Sequence, residues 1–317
     1  AVSNADVSIF NLMKEMRNAP ADELMITLTM LGDGVVMTAL ALAIIGWLAW
    51  HRAYRAAMAA AIAIIAGKIF VPVLKTVIQR PRPVELYSGA ENFSFPSGHA
   101  TMAALIFGIL AVLVSHAMGR WSRSLVYATC GSFVIAIAYS RVYLGVHWLS
   151  DVIGGLMFGA VMAAAFGVAI EAIPPRRIRP IGLIGFSALV MLGVGSAHVT
   201  LDYQAAEEAY GPRQQALVES FASWKSGGWR SQPARRIDLA GTAGDPIQAQ
   251  LAGSADTLRL ALAADGWSET PKWTWRDAIP YLNPQASFAD LAPRPALHEG
   301  LKARLTMVRP VDGVKIG

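Results

Sequence analysis

The sequence predicts an all-α polytopic membrane helix bundle of about six transmembrane helices, followed by a small soluble α+β domain. Three observations carry this. Only 15% of the 317 residues are charged while 54% are hydrophobic, and the mean hydropathy of +0.42 is too apolar for an ordinary soluble chain. The apolar residues fall into runs, most of them near the roughly 20 residues a helix needs to cross hydrocarbon. The runs stop near residue 200, beyond which the composition is that of a soluble domain. The expected division is a membrane domain over 1–200 and a linker helix plus soluble domain over 201–317.

Residues 7–16 form an amphipathic stretch suited to an interfacial helix. Gly32-Asp33-Gly34 precedes the first long run, 35–50, with Asp33 read as its N-cap at the membrane edge. The second run, 56–78, contains Pro72, a candidate kink. A polar loop rich in Pro and Arg, 79–96, leads to runs at 99–118, 125–138, 152–170 and 181–198. The fourth is short and needs its polar C-terminal turn to reach the surface. Gly155, Gly159, Ala163 and Gly167 recur every four residues, a small-residue stripe that lets helices approach closely.

Basic residues set the orientation. Arg52 and Arg55, Arg120 and Arg123, and Arg176, Arg177 and Arg179 lie in loops that alternate onto one side, which the positive-inside tendency assigns to the cytoplasm. Both chain ends then lie on the opposite side. The chain opens at Ala1 without a signal peptide or initiator Met, so the expectation is a processed chain or a piece of a longer protein.

Beyond 202 the pattern is mixed. Leu217, Val218, Phe221 and Trp224 have helical spacing. Ile247, Ala249 and Leu251 alternate like a strand, Ser254 caps a helix ending near Gly266, and Leu305 and Met307 alternate again. Trp267, Trp273 and Trp275 are expected in its core. The net charge of +5 comes with no basic stripe interleaved with aromatics, which argues against a nucleic-acid partner. Cys130, the single cysteine, allows no intrachain disulfide and reads as a small hydrophobe in an apolar run. No cluster of Cys, His or carboxylates has metal-ligand spacing.

Three short stretches at the ends of apolar runs hold the chemistry: Lys75 with Arg82-Pro83, then Pro96-Ser97-Gly98-His99, then Ser140-Arg141 with His147 and Asp151. Lys75, Arg82 and Arg141 suit the equatorial oxygens of a phosphoryl group. Ser97 and Gly98 begin a helix whose amides point at an anion. Asp151, four residues after His147, can fix its tautomer and leave the other ring nitrogen nucleophilic. His99 is then free to protonate the leaving group. No metal or cofactor is demanded, because the cations supply the charge. Taken singly, each residue has a structural reading: Lys75 can snorkel, and Arg141 can pair with Asp151. Gathered at one membrane face they point to an enzyme acting on phosphate at the water–lipid boundary.

The pattern Lys-x6-Arg-Pro, Pro-Ser-Gly-His and Ser-Arg-x5-His-x3-Asp resembles the type 2 phosphatidic acid phosphatase superfamily, which also includes vanadium haloperoxidases. The resemblance covers about 25–170. It implies a phosphohistidine on His147 oriented by Asp151, and His99 as the proton donor. It further implies phosphate binding by Lys75, Arg82, Ser97, Gly98 and Arg141, and a site on the periplasmic side of a bacterial inner membrane. The implied partners are a phosphorylated lipid, either a polyprenyl pyrophosphate or a glycerolipid phosphate, and the surrounding membrane lipids. Phosphotransfer to a lipid or sugar and vanadate-dependent haloperoxidation remain open, and headgroup choice falls to the loop 84–95. Residues 238–310 more loosely resemble an LssY-type C-terminal domain through Leu239-Ala240-Gly241, Ala264-Asp265-Gly266-Trp267 and Leu305-Thr306-Met307-Val308-Arg309-Pro310. Such chains also carry an N-terminal DedA-type membrane domain, expected here upstream of Ala1. A binding role for the C-terminal part is a further expectation.

Overall fold

The computed structural model describes residues 2–83, 92–115, 118–172, 179–211 and 220–231, with shorter segments between 234 and 316. It divides into two units, Ala1–Pro212 and Arg213–Gly317. Arg176 and Arg177, Leu217 and Val218, Trp273 and Trp275, Leu239 to Gly241 and residues 84–91 lie outside the described residues.

The first unit is helical: α1 Asn4–Met16, α2 Ala19–Leu31, α3 Gly34–Trp50, α4 Tyr54–Ile78, α5 Gly98–Ser115, α6 Arg120–Tyr143, α7 Leu149–Glu171 and α8 Pro180–Tyr210. α1 starts earlier than its apolar pattern because Ser3 and Asp6 form a reciprocal capping box. α2 has no counterpart among the expected runs. At thirteen residues it is too short to span by itself, and Asn18 caps it with Pro20 in its first turn. It meets α3 at a 43° bend, and the two together have the length and hydropathy of one broken span. Among the described residues, α4 to α8 each have that character alone. The chain is a multi-pass membrane protein with five such helices among its described residues, or six with the bent pair, and Pro72 sits inside α4 without ending it.

α5 is the central helix: 72% of its most apolar stretch is buried, against 17–33% for α4, α6, α7 and α8. It packs most extensively on α7 through the small-residue stripe. A Cβ at Gly155 would lie 2.7 Å from the Ser97 carbonyl oxygen, and one at Gly159 only 2.4 Å from that of Thr101. Backbone contact this close brings the N-terminus of α5 beside the start of α7, where two of the three motifs lie. α6 extends beyond its apolar run in both directions, and α8 runs well past residue 198 to Tyr210.

In the second unit, α9 Phe221–Lys225 carries Phe221 and Trp224 of the expected linker helix and is capped by Ser220, and Ser254 caps α10 Ala255–Ala264 through the Thr257 amide. The strands β1 Arg235–Ile237 and β2 Ala243–Pro246 pair antiparallel, as do β4 Leu297–His298 and β5 Leu301–Lys302, while β3 Ser268–Glu269, β6 Met307–Val311 and β7 Val314–Ile316 form one sheet in the order β3-β6-β7. The strand expected at 247–251 is not formed. Ile247 and Leu251 are exposed, so no layer covers the alternating residues. Trp267 is half-buried under the Arg309 guanidinium.

Candidate active site

Local backbone chemistry delivers each motif to the same end of the bundle. Lys75 lies in the last turn of α4 and is 2% exposed, so it points inward rather than snorkelling. The chain then leaves α4 through Arg80, Pro81 and Arg82. Its return is pinned where Pro81 bridges Phe93 and where the Ser94 amide donates to the Arg80 carbonyl at 2.8 Å. Pro96 and Ser97 lead directly into α5. At the end of α6, Gly145 (φ +70°) donates to the Val142 carbonyl and Val146 to that of Arg141. This is a Schellman ending that only a residue tolerant of left-handed backbone makes cheaply. It reverses the chain so that His147 follows at once.

His147 sits in that turn, before α7, and not on a helix with Asp151 as the four-residue spacing suggested. Trp148 is the N-cap of α7, and Asp151, in the first turn, folds back to accept from its amide at 2.9 Å. The pair still meet: His147 Nδ1 lies 3.5 Å from Asp151 Oδ2. That is not a formed hydrogen bond here, and such contacts commonly tighten when substrate binds. The other ring nitrogen, Nε2, is 3.1 Å from Arg82 Nη1, which also donates to the Val146 carbonyl at 2.8 Å. A guanidinium only donates, so Nε2 is the acceptor and the ring proton belongs on Nδ1, facing Asp151. Burial and then the charges of Arg82, Arg141, Lys75 and His99 hold the His147 imidazole well below its usual pKa.

Asp151 and Arg141 do not pair. Asp151 Oδ1 is held by Arg80 Nη1 at 2.5 Å, and Arg80 Nη2 reaches Asp6 Oδ2 at 2.7 Å. Asp6 also accepts from the Ser150 amide and hydroxyl at 3.0 and 2.8 Å. Burial alone would raise the Asp6 carboxyl, but the hydrogen bonds from Ser150 and Ser3 hold it well below the usual carboxylate range. Arg141, 1% exposed, instead donates to Thr29 Oγ1 at 2.6 Å and lies over the Tyr210 ring. Ser140 is satisfied by the Ile137 carbonyl in its own helix.

On the α5 side, the Ser97 amide donates to the Asp151 carbonyl at 3.1 Å. The Gly98 and His99 amides, at the start of α5, have no acceptor within the helix. His99 Nε2 is 2.8 Å from Asp33 Oδ1. The expectation for Asp33 is therefore corrected: it holds the N-cap position of α3, but its carboxylate caps no amide and reaches across to His99 and His198 instead. Sequence reasoning also passed over Arg80 and Asp6. Spacing gave no signal for them: in an extended segment Arg80 and Arg82, two residues apart, would share a face, yet Arg80 turns to Asp6 and Asp151 while Arg82 turns to His147.

The profile of the PAP2 superfamily matches residues 56–173. Phosphatidylglycerophosphatase B of Bacillus subtilis is 29% identical over 51% of this chain and 81% of its own. A putative undecaprenyl-diphosphatase of Escherichia coli is 31% identical over 50% of this chain and 80% of its own. The crystal structure of a transmembrane PAP2 type phosphatidylglycerolphosphate phosphatase from Bacillus subtilis aligns at 28% identity with a TM-score of 0.49, over 54% of this chain and 86% of that one.

Proposed function

The chain belongs to the PAP2 superfamily, and on that premise we propose that it is a lipid phosphatase, hydrolysing a phosphomonoester or pyrophosphate through a phosphohistidine on His147. The observation that carries this is the orientation of buried His147: Nε2 faces Arg82, Nδ1 faces Asp151, and the charges of Arg82, Arg141, Lys75 and His99 all bear on the ring. Nε2 attacks phosphorus as the bond to the leaving oxygen breaks, and His99 protonates that oxygen. Water then attacks the phosphohistidine, giving its proton to His99, and inorganic phosphate departs. Lys75, Arg82 and Arg141 neutralise the equatorial oxygens, supplying charge that a metal ion would otherwise supply. Gly98 contributes its amide. The Ser97 amide already serves Asp151, so its hydroxyl is the group that meets phosphate.

The similar phosphatases, named for phosphatidylglycerophosphate and undecaprenyl diphosphate, support a lipid substrate. The site lies at the ends of α4 and α6 away from Arg52, Arg55, Arg120 and Arg123, which supports a periplasmic active site in a bacterial inner membrane. The test is phosphate release from a panel of lipid phosphates and pyrophosphates in detergent, with EDTA. Turnover is expected to survive EDTA and to vanish in a folded His147→Ala variant. Strong inhibition by EDTA, or turnover by that variant, would overturn the mechanism.

A further inference from the structure

Three ionisable groups outside the motifs form a chain that ends on His99. Asp33, at the bend between α2 and α3, faces His99 Nε2 with Oδ1 at 2.8 Å and His198 Nε2 with Oδ2 at 2.8 Å. His198, on α8, faces Asp202 with its other nitrogen at 2.9 Å. Gly32 makes room for this: a Cβ there would lie 3.1 Å from His99 Cδ2 and 2.5 Å from Ile137 Cγ2. With Nε2–H committed to Asp33, His99 presents Nδ1 to any leaving group. We propose that Asp33 is the positioning residue of His99, fixing its tautomer and ring plane and stabilising the imidazolium it carries before donating its proton, while His198 and Asp202 hold Asp33 in place. Asp151 lies beside His147 Nδ1 at 3.5 Å, so a carboxylate faces one nitrogen of each imidazole.

This rests on His99 being the general acid, and the test separates the two claims. A general acid matters for a poor leaving group and little for a good one. The measured quantity is the ratio of kcat/KM on an aryl phosphate, whose leaving group needs no proton, to kcat/KM on an alkyl lipid phosphate, because kcat/KM reports cleavage of the P–O bond and not the later hydrolysis of the phosphohistidine that both substrates share. His99→Ala is expected to raise this ratio by about 10² to 10⁴. Asp33→Asn, which keeps the shape and removes the charge, is expected to raise it by about 10 to 10², and His198→Gln by a few-fold in the same direction. A ratio unmoved in His99→Ala would overturn the general-acid reading. A ratio raised in His99→Ala but unmoved in a folded Asp33→Asn would overturn the positioning role alone. If Asp33→Asn does not fold, His198→Gln decides in the same way, an unmoved ratio overturning the proposal.

Discussion

The two imidazoles stand in different surroundings. His147 is nearly sealed, with 2% of its side chain exposed, and its neighbours Arg82 and Asp151 come from the same three motifs. His99 is 21% exposed and is held by Asp33, from a bend that no motif covers. A nucleophile must be dry and surrounded by positive charge to stay unprotonated. A proton donor, the role proposed for His99, must reach the departing group. On the proposed roles the two flanks solve different problems, and they differ in where the carboxylate comes from: Asp151 follows His147 at i,i+4, whereas Asp33 lies 66 residues from His99.

The largest expected effect lies on the His147 flank. His147→Ala should lower phosphate release by about 10⁴-fold or more, whereas His99→Ala should cost about 10² to 10⁴ on an alkyl phosphate. Equal losses on aryl and alkyl substrates would erase the distinction between the flanks. Arg80→Met should come next. It strands Asp6 and Asp151 without their shared cation, and losing one partner of a buried pair costs about 3–5 kcal/mol. Thermal unfolding in detergent should fall accordingly, and an unchanged midpoint would show that Asp151 does not depend on Arg80.

Acidity sharpens the contrast. Because the folded pKa of His147 is depressed, its contribution to stability is fully present above the unfolded value near 6.5 and is lost as pH falls below it. The acid limb of kcat/KM should likewise lie well below 6.5. Arg82→Gln removes a charge that holds the pKa down, so that limb should move up in pH while kcat drops by about 10²-fold. A limb that stays in place would mean that Arg82 is not what keeps His147 neutral. Gly32→Ala should have the smallest effect, a loss of up to about tenfold in turnover on alkyl phosphate, as the new methyl meets Ile137 and the His99 ring. An equal loss on an aryl phosphate would place its effect in folding rather than in His99.

How far the sequence could be read differs between the same two flanks. Residue type and spacing were enough to single out Lys75, Arg82, His147 and Asp151, because a phosphoryl group demands cations and a hydrogen-bonded imidazole. Spacing misjudged how His147 meets Asp151: a Schellman turn at Gly145 and the fold-back of Asp151 onto Trp148 do what a helical turn was expected to do. α2 was missed because thirteen residues fall below the length of a span. In the second unit, the alternation at 247–251 did not make a strand, and Ile247 and Leu251 stay exposed.

Composition and spacing alone were enough for the membrane-spanning character, the order of the long helices and the inventory of charged groups, because hydrocarbon thickness and phosphate chemistry each leave a local signature. Helix packing alone brought Asp33 to His99 and placed Arg80 between Asp6 and Asp151. Arg80 and Asp6, 74 residues apart, and Asp33 and His198, 165 apart, meet through helix packing around α5. Such pairs share no period or spacing. What selects them is the cost of burying a charge without a partner, and that cost arises only once the helices have packed.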